Sequence, residues 1–299
     1  MRPTLTTCDP RTRPAPPTWV VLLRIPLLIV LGTTATPAAS SGLSAGECVV
    51  EVVSYSHAGL RLVGLLMRPQ GEGPFPVVIH NHGSRAGNEA RRSVQPDAGC
   101  FPFAQAKRWV VFLPERRGYG GSEGPTWSQE VLSLPLAQRG RAAMIRFRVE
   151  AADVVASLEY LRTLPYVDRA RIAVTGTSHG GVVTLLAAAA APQAFVSVVS
   201  QAAGSNWDPH TVVQEMAAAG ARITVPILLQ HGTADTLVPI SRSLELYDAL
   251  KRMGKEVSFL RYPDGHLIFD YPYYHFPLEA GPAWLGDFVT FLEGRFRSR

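Results

Sequence analysis

The sequence predicts a single α/β domain built on a mainly parallel sheet, and three observations carry that prediction. Two β-branched segments, "ECVVEVVSY" (47–55) and "LRLVGLLMRP" (60–69), flank the short "SHAG" and read as an antiparallel hairpin. Short apolar runs then alternate with helical stretches to the end of the chain, the pattern of repeated strand–helix units. The run "FPVVIHNHG" (75–83) ends in glycine, as a strand buried on both faces does where the chain must turn.

The remaining elements follow in order. "WVVFLPERRGYGGSEG" (109–124) gives a strand and then a glycine-rich loop, and residues 125–140 read as irregular. A helix is expected from about Arg141 to just before Pro165, because Ala151, Val154, Val155, Leu158 and Leu161 fall on one face. "RIAVTG" (171–176) is a strand, and "GVVTLLAAAAA" (181–191) a helix that is apolar all round and therefore buried. "FVSVVSQ" (195–201) and "VPILLQHG" (225–232) are further strands. "SRSLELYDALKRM" (241–253) is an amphipathic helix with basic residues in its last turn and Gly254 as its stop. "EVSFLRYP" (256–263) is the last strand and "AWLGDFVTFLEGRF" (283–296) a closing helix. The sheet is thus expected to have eight strands flanked by helices. The longest connections, 122–145 and 201–224, are too short for a large lid.

Residues 1–39 read as a secretion signal and 40–299 as the α/β domain. Arg2, Arg11 and Arg13 precede the apolar "IPLLIVLG" (25–32), and small residues follow where a signal peptidase cuts. Arg24 breaks the apolar run, so no stable membrane span is expected in the mature form. The protein is therefore expected to be secreted or periplasmic, with an uncleaved N-terminal anchor as the alternative. Cys8 would leave with the signal; Cys48 and Cys100 would then either pair in an oxidising compartment or stay as buried thiols. Of the net charge of +5, the first 39 residues carry +3. The rest holds no basic stripe dense enough for a phosphate-binding face, so a nucleic-acid partner is not expected.

The chemistry concentrates in "RIAVTGTSHGGVV" (171–183). Ser178 is the centre of a Gly-x-Ser-x-Gly pattern where a strand turns directly into a helix, the setting that pattern requires. A serine on so tight a turn leaves no room for side chains two positions either side, and the helix start favours developing negative charge beside it. A serine hydroxyl needs a base, and the base an orienting acid. Asp235 in "LLQHGTADTLVP" and His266 in "LRYPDGHLIF" each lie just past a strand, in the order serine, acid, histidine. Asp208 is an alternative acid, His275 an alternative base, and Asp264 is badly placed to orient the His266 ring. Two donors are expected for the oxyanion: the backbone N–H of His179 and, from the loop "HNHGSRAG" (80–87), that of Ser84. His80 and His82 lack a carboxylate or cysteine nearby to complete a metal site, so neither metal nor organic cofactor is expected. Glu115, Arg116 and Arg117 read as residues that hold the glycine-rich loop.

"HNHG", "RRGYGGSEG", "GTSHGG", "HGTADTLVP" and "YPDGHLIF", in that order, resemble α/β hydrolases across residues 47–296. Within that fold the chain is similar to dienelactone-hydrolase-like and prolyl-oligopeptidase-type catalytic domains. The resemblance implies Ser178, Asp235 and His266 as a triad acting on a small-molecule ester or a peptide. The chain differs from the dienelactone enzymes in having Ser178 where they use cysteine. It differs from prolyl oligopeptidases in having Ser84 after His82-Gly83, and in lacking room for a propeller before its first strand. Ester hydrolysis is the resulting expectation and a prolyl-oligopeptidase-type peptidase the alternative. A binding protein on an inactive hydrolase scaffold is the rival from another class, and the complete Ser–Asp–His order speaks against it.

Overall fold

Alternate residues of the sheet strands face opposite sides, and both sides are apolar, which forces a layer of helices onto each. The structure, a computed structural model, describes residues 48–85, 102–266 and 282–298. These belong to one compact unit, Leu43–Arg299. The strands are β1 (Val49–His57), β2 (Leu60–Arg68), β3 (Phe75–Asn81), β4 (Val110–Glu115), β5 (Val167–Thr177), β6 (Ser197–Gln201), β7 (Ile227–Gly232) and β8 (Val257–Tyr262). The described helices are α1 (Pro102–Lys107), α2 (Leu136–Thr163), α3 (His179–Ala190), α4 (Pro209–Arg222), α5 (Ser241–Arg252) and α6 (Ala283–Arg297).

The eight strands form one sheet in the order β1-β2-β4-β3-β5-β6-β7-β8. β1 and β2 pair antiparallel, as do β2 and β4, and every pairing from β4 to β8 is parallel. Val77, Ile79, Ile172, Val174, Ile227 and Leu229 face one side, where they pack with residues of α2, α3, α4 and α5. Their neighbours Val78, Ala173 and Leu228 face the other side and pack with α1 and α6. The period of two along each strand thus builds two cores from one sheet.

The expected eight-stranded, mainly parallel sheet is therefore present, and the differences are local. The tract 201–224, expected to be a connection, contains α4. Asp208 caps it by accepting from the Thr211 N–H (3.3 Å), and Pro209 occupies its first turn. Val212, Val213, Met216 and Gly220 form its buried face, which packs beside α3 and α5. It belongs to the helical layer and is no lid. The stretch expected to be irregular, 125–140, holds a π-helical turn (Ser128–Leu132) and the first turn of α2. Cys48 is disulfide-bonded, and Cys100, one of its two expected states being a bond to Cys48, lies outside the described residues. The signal-like segment 1–39 and His275 also lie outside them. Among the described residues no helix is long and apolar enough to cross a membrane.

Candidate active site

β5 ends at Thr177 and α3 begins at His179, so Ser178 alone makes the turn. It does so at φ 57° and ψ −121°, a conformation that strains any residue with a Cβ. The strain is held by the Ser178 N–H, which donates to Gln201 O (2.8 Å), and by the Gly181 N–H, which donates back to Ser178 O (2.9 Å). The flanking glycines are required by close approach. A methyl group at Gly180 would collide with the carbonyl oxygens of Asn81 and His82, and one at Gly176 with the carbonyl of Gly180. The half-buried Ser178 lines a cleft of about 200 Å³ together with Trp127, Phe147, Trp207, Leu237 and Val238.

Asp235 and His266 follow β7 and β8 at the same edge of the sheet, since Gly232 pairs with Tyr262 and Thr177 with Gln201. The structure brings the two together: His266 Nδ1 donates to Asp235 Oδ2 at 2.6 Å. The other carboxylate oxygen accepts from the backbone N–H groups of Leu237 (2.8 Å) and Val238 (2.9 Å). Burial alone would raise the Asp235 carboxyl, but the Val238 N–H and the His266 ring outweigh it and hold it below the usual value. It stays ionised and acts only as an acceptor, which fixes the His266 proton on Nδ1 and leaves Nε2 as a base. Asp208, the alternative acid, is occupied as the α4 cap.

His179 has a different role from Ser178. Its ring is buried against Trp127 (centroids 4.8 Å) and Phe147 (4.6 Å) and donates Nε2–H to Glu150 Oε2 at 2.6 Å. Glu150 lies in the middle of α2, fully buried, and also accepts from Arg116 Nε (2.8 Å) and Arg146 Nε (2.7 Å). Burial by itself would push the Glu150 carboxyl up, yet His179, Arg116 and Arg146 together hold it far below the ordinary range. Burial pushes the His179 ring below the usual imidazole value, against the pull of Glu150, so the neutral ring is the form present near pH 7. Its Nδ1 then faces the Ser84 hydroxyl at 3.4 Å.

Of the three residues expected to hold the glycine-rich loop, Arg117 ties its start to α2, whereas the side chains of Glu115 and Arg116 bond the 82–85 segment and Glu150. Arg85 bridges both oxygens of Glu115 (2.9 Å each), and Arg117 clamps Asp153 through its backbone N–H, Nε and Nη2. Arg116 Nη2 donates to His82 O (3.0 Å), the carbonyl before Gly83 and Ser84. The two histidines of "HNH" are likewise engaged: His80 Nδ1 bonds Thr175 Oγ1 (2.8 Å), and His82 Nδ1 donates to Gly83 O (2.8 Å). Among the described residues no group of three or more metal-ligating side chains is assembled.

Sequence reasoning missed Glu150, Trp127, Phe147, Trp207 and His231. Glu150 did leave a signal, because a carboxylate four residues from Val154 and three from Phe147 lies inside the apolar stripe of its own helix.

The chain matches the model of the Prolyl oligopeptidase family over residues 147–216 and 204–274. It is 25% identical over 246 residues to the uncharacterized peptidase YuxL of Bacillus subtilis (strain 168), covering 72% of this chain and 35% of that protein. Among solved structures it superposes on an acylaminoacyl peptidase in complex with a Z-Gly-Gly-Phe-chloromethyl ketone. There the TM-score is 0.59 at 20% identity, over 83% of this chain and 41% of the other. It also superposes on acetyl xylan esterase 1 from Thermoanaerobacterium sp. JW/SL YS485, with a TM-score of 0.59 at 21% identity over 86% of each chain. The chain thus spans well under half the length of the two peptidases and most of the esterase. With the eight-stranded sheet, these superpositions show the α/β hydrolase fold, and over residues 147–274 the chain is similar to the Prolyl oligopeptidase family.

Proposed function

We propose that the protein cleaves carboxylic esters through an acyl-enzyme, with Ser178 as nucleophile, His266 as general base and Asp235 as the acid that orients it. The observation that carries this reading is the 2.6 Å bond from His266 Nδ1 to Asp235, at the sheet edge where Ser178 is held at positive φ. Ser178 Oγ attacks the acyl carbon while its proton passes to His266 Nε2; the same proton then goes to the leaving alkoxide, and water repeats the cycle on the acyl-enzyme. Asp235 remains ionised and stabilises the imidazolium. The backbone N–H groups of His179 and Ser84 receive the oxyanion, at the start of α3, whose dipole favours negative charge there. The cleft, walled by Trp127, Phe147 and Trp207, favours compact acyl groups. No metal or organic cofactor enters this chemistry.

A second reading, a serine peptidase of the prolyl-oligopeptidase type, is favoured by the family match over residues 147–274. A panel of p-nitrophenyl esters of increasing acyl length, run beside proline-containing peptide p-nitroanilides, separates the two. Short esters turned over with a kcat/KM well above that of every peptide amide support the first reading. Faster turnover of a peptide amide supports the second. Export is also proposed: residues 1–39 carry the signal pattern, and the disulfide at Cys48 fits an oxidising compartment.

A further inference from the structure

Near the cleft, one buried carboxylate is tied to both segments that carry the oxyanion donors. Glu150 Oε2 accepts from the ring of His179 (2.6 Å), whose own backbone N–H is one donor. The same oxygen accepts from Arg116 Nε (2.8 Å), and the other arm of that guanidinium donates to His82 O (3.0 Å), two residues before Ser84, the other donor. Arg146 Nε closes the remaining oxygen at 2.7 Å. The two donor segments also meet directly, because Gly180 packs against the carbonyls of Asn81 and His82, and the Ser84 hydroxyl lies 3.4 Å from His179 Nδ1. All three charged side chains are at most 1% exposed, so none of these bonds competes with bulk water.

We propose that Glu150 is the positioning residue of the oxyanion hole. Through His179 it fixes the orientation of the first turn of α3, and through Arg116 the 82–84 loop, so that both N–H groups are aimed at one point before substrate binds. Its carboxylate also selects the His179 tautomer, which leaves Nδ1 to accept from Ser84. This rests on the reading of Ser178 as nucleophile, and it places a determinant of transition-state binding 28 residues upstream on another helix. An oxyanion hole acts on the tetrahedral intermediate and hardly on the ground state, so its misalignment is read in kcat and not in KM.

The test uses the full chain, p-nitrophenyl butyrate as substrate, and as inhibitor the trifluoromethyl ketone bearing the same propyl chain, which forms an oxyanion on Ser178. His179→Phe keeps the ring packing against Trp127 and Phe147 and removes the link to Glu150. Arg116→Lys keeps a cation beside Glu150 and removes the fork to His82 O. Both leave Glu150 with a guanidinium partner, Arg146, and so preserve the fold where Glu150→Gln endangers it. Each is expected to lower kcat by about 10- to 100-fold, with KM within about twofold and ketone affinity falling in parallel with kcat. Folded His179→Phe and Arg116→Lys proteins with wild-type kcat and wild-type ketone affinity would overturn the proposal, as would losses confined to KM. Ser178→Ala run alongside keeps the two levels apart. If it abolishes turnover while His179→Phe and Arg116→Lys do not, the nucleophile stands and the role of Glu150 falls. If Ser178→Ala is as active as wild type, the nucleophile reading itself falls, and the oxyanion hole with it.

Discussion

The imidazole of His231 stands 3.0 Å from Oδ2 of Asp235, the same oxygen that receives the ring of His266. His231 is fully buried; its Nε2–H is shared between that oxygen and Val238 O (2.8 Å), and its Nδ1 accepts from the Ser243 hydroxyl (2.7 Å). It therefore locks the turn that carries Asp235. Replacing it with Phe strands a hydroxyl and a carbonyl in the interior, at a cost of about 1–3 kcal/mol. We expect His231→Phe to lose that much unfolding free energy in urea, and to lose less kcat than any change at Asp235 itself.

Asp235 and Asp208 occupy comparable positions after neighbouring strands, and among the described residues only Asp235 bonds a histidine ring. Asp235→Asn should reverse the hydrogen-bonding sense at Nδ1 and lower kcat by about 10³- to 10⁴-fold. Asp208→Asn should leave kcat unchanged and alter stability by less than about 1 kcal/mol, since Asn also caps helices. Steady-state kinetics on the two variants decides between them.

Acid should destabilise the protein in two stages. Burial holds the rings of His82, His179 and His231 below the ordinary imidazole value. As pH falls below about 6.5, the unfolded chain binds protons that the folded chain refuses, and unfolding is favoured. Asp235 and Glu150 have lowered pKa values in the fold, so the stability they contribute above about pH 4 is lost as pH drops further. Urea midpoints measured at pH 7, 5.5 and 4 should decline throughout. A stability maximum near pH 5 would contradict this.

Two glycine-to-alanine changes should act in opposite directions. At Gly180 the new methyl group meets the backbone of Asn81 and His82, which cannot yield cheaply, so Gly180→Ala should lose about 1–3 kcal/mol and disturb the serine turn. At Gly286, within α6, the methyl group meets nothing among the described residues, and Gly286→Ala should gain about 0.5–1 kcal/mol. Thermal unfolding of the pair measures both signs.

What the sequence made legible was local or strictly ordered. The glycines around Ser178 announce a turn without space, and Asp235 and His266 follow strands in a fixed order, so all three could be read in one dimension. The partner of the His179 ring could not, because Glu150 lies 29 residues away on a helix whose rotation only packing decides. The cleft walls were hidden for the same reason: Trp127 and Trp207 come from the two tracts that read as mere connections. α4 was missed although Asp208-Pro209 is a helix start, because after Met216 its buried face continues only in Ala217, Ala219 and Gly220, the last fitted against Leu250.

The central claim is that Ser178 is an activated nucleophile, and labelling with a fluorophosphonate probe tests it most directly. The folded wild-type protein should label stoichiometrically, with the adduct found on the peptide that carries Ser178, and folded Ser178→Ala should not label. A folded wild-type protein that fails to react, or a Ser178→Ala protein that labels equally well, would contradict it.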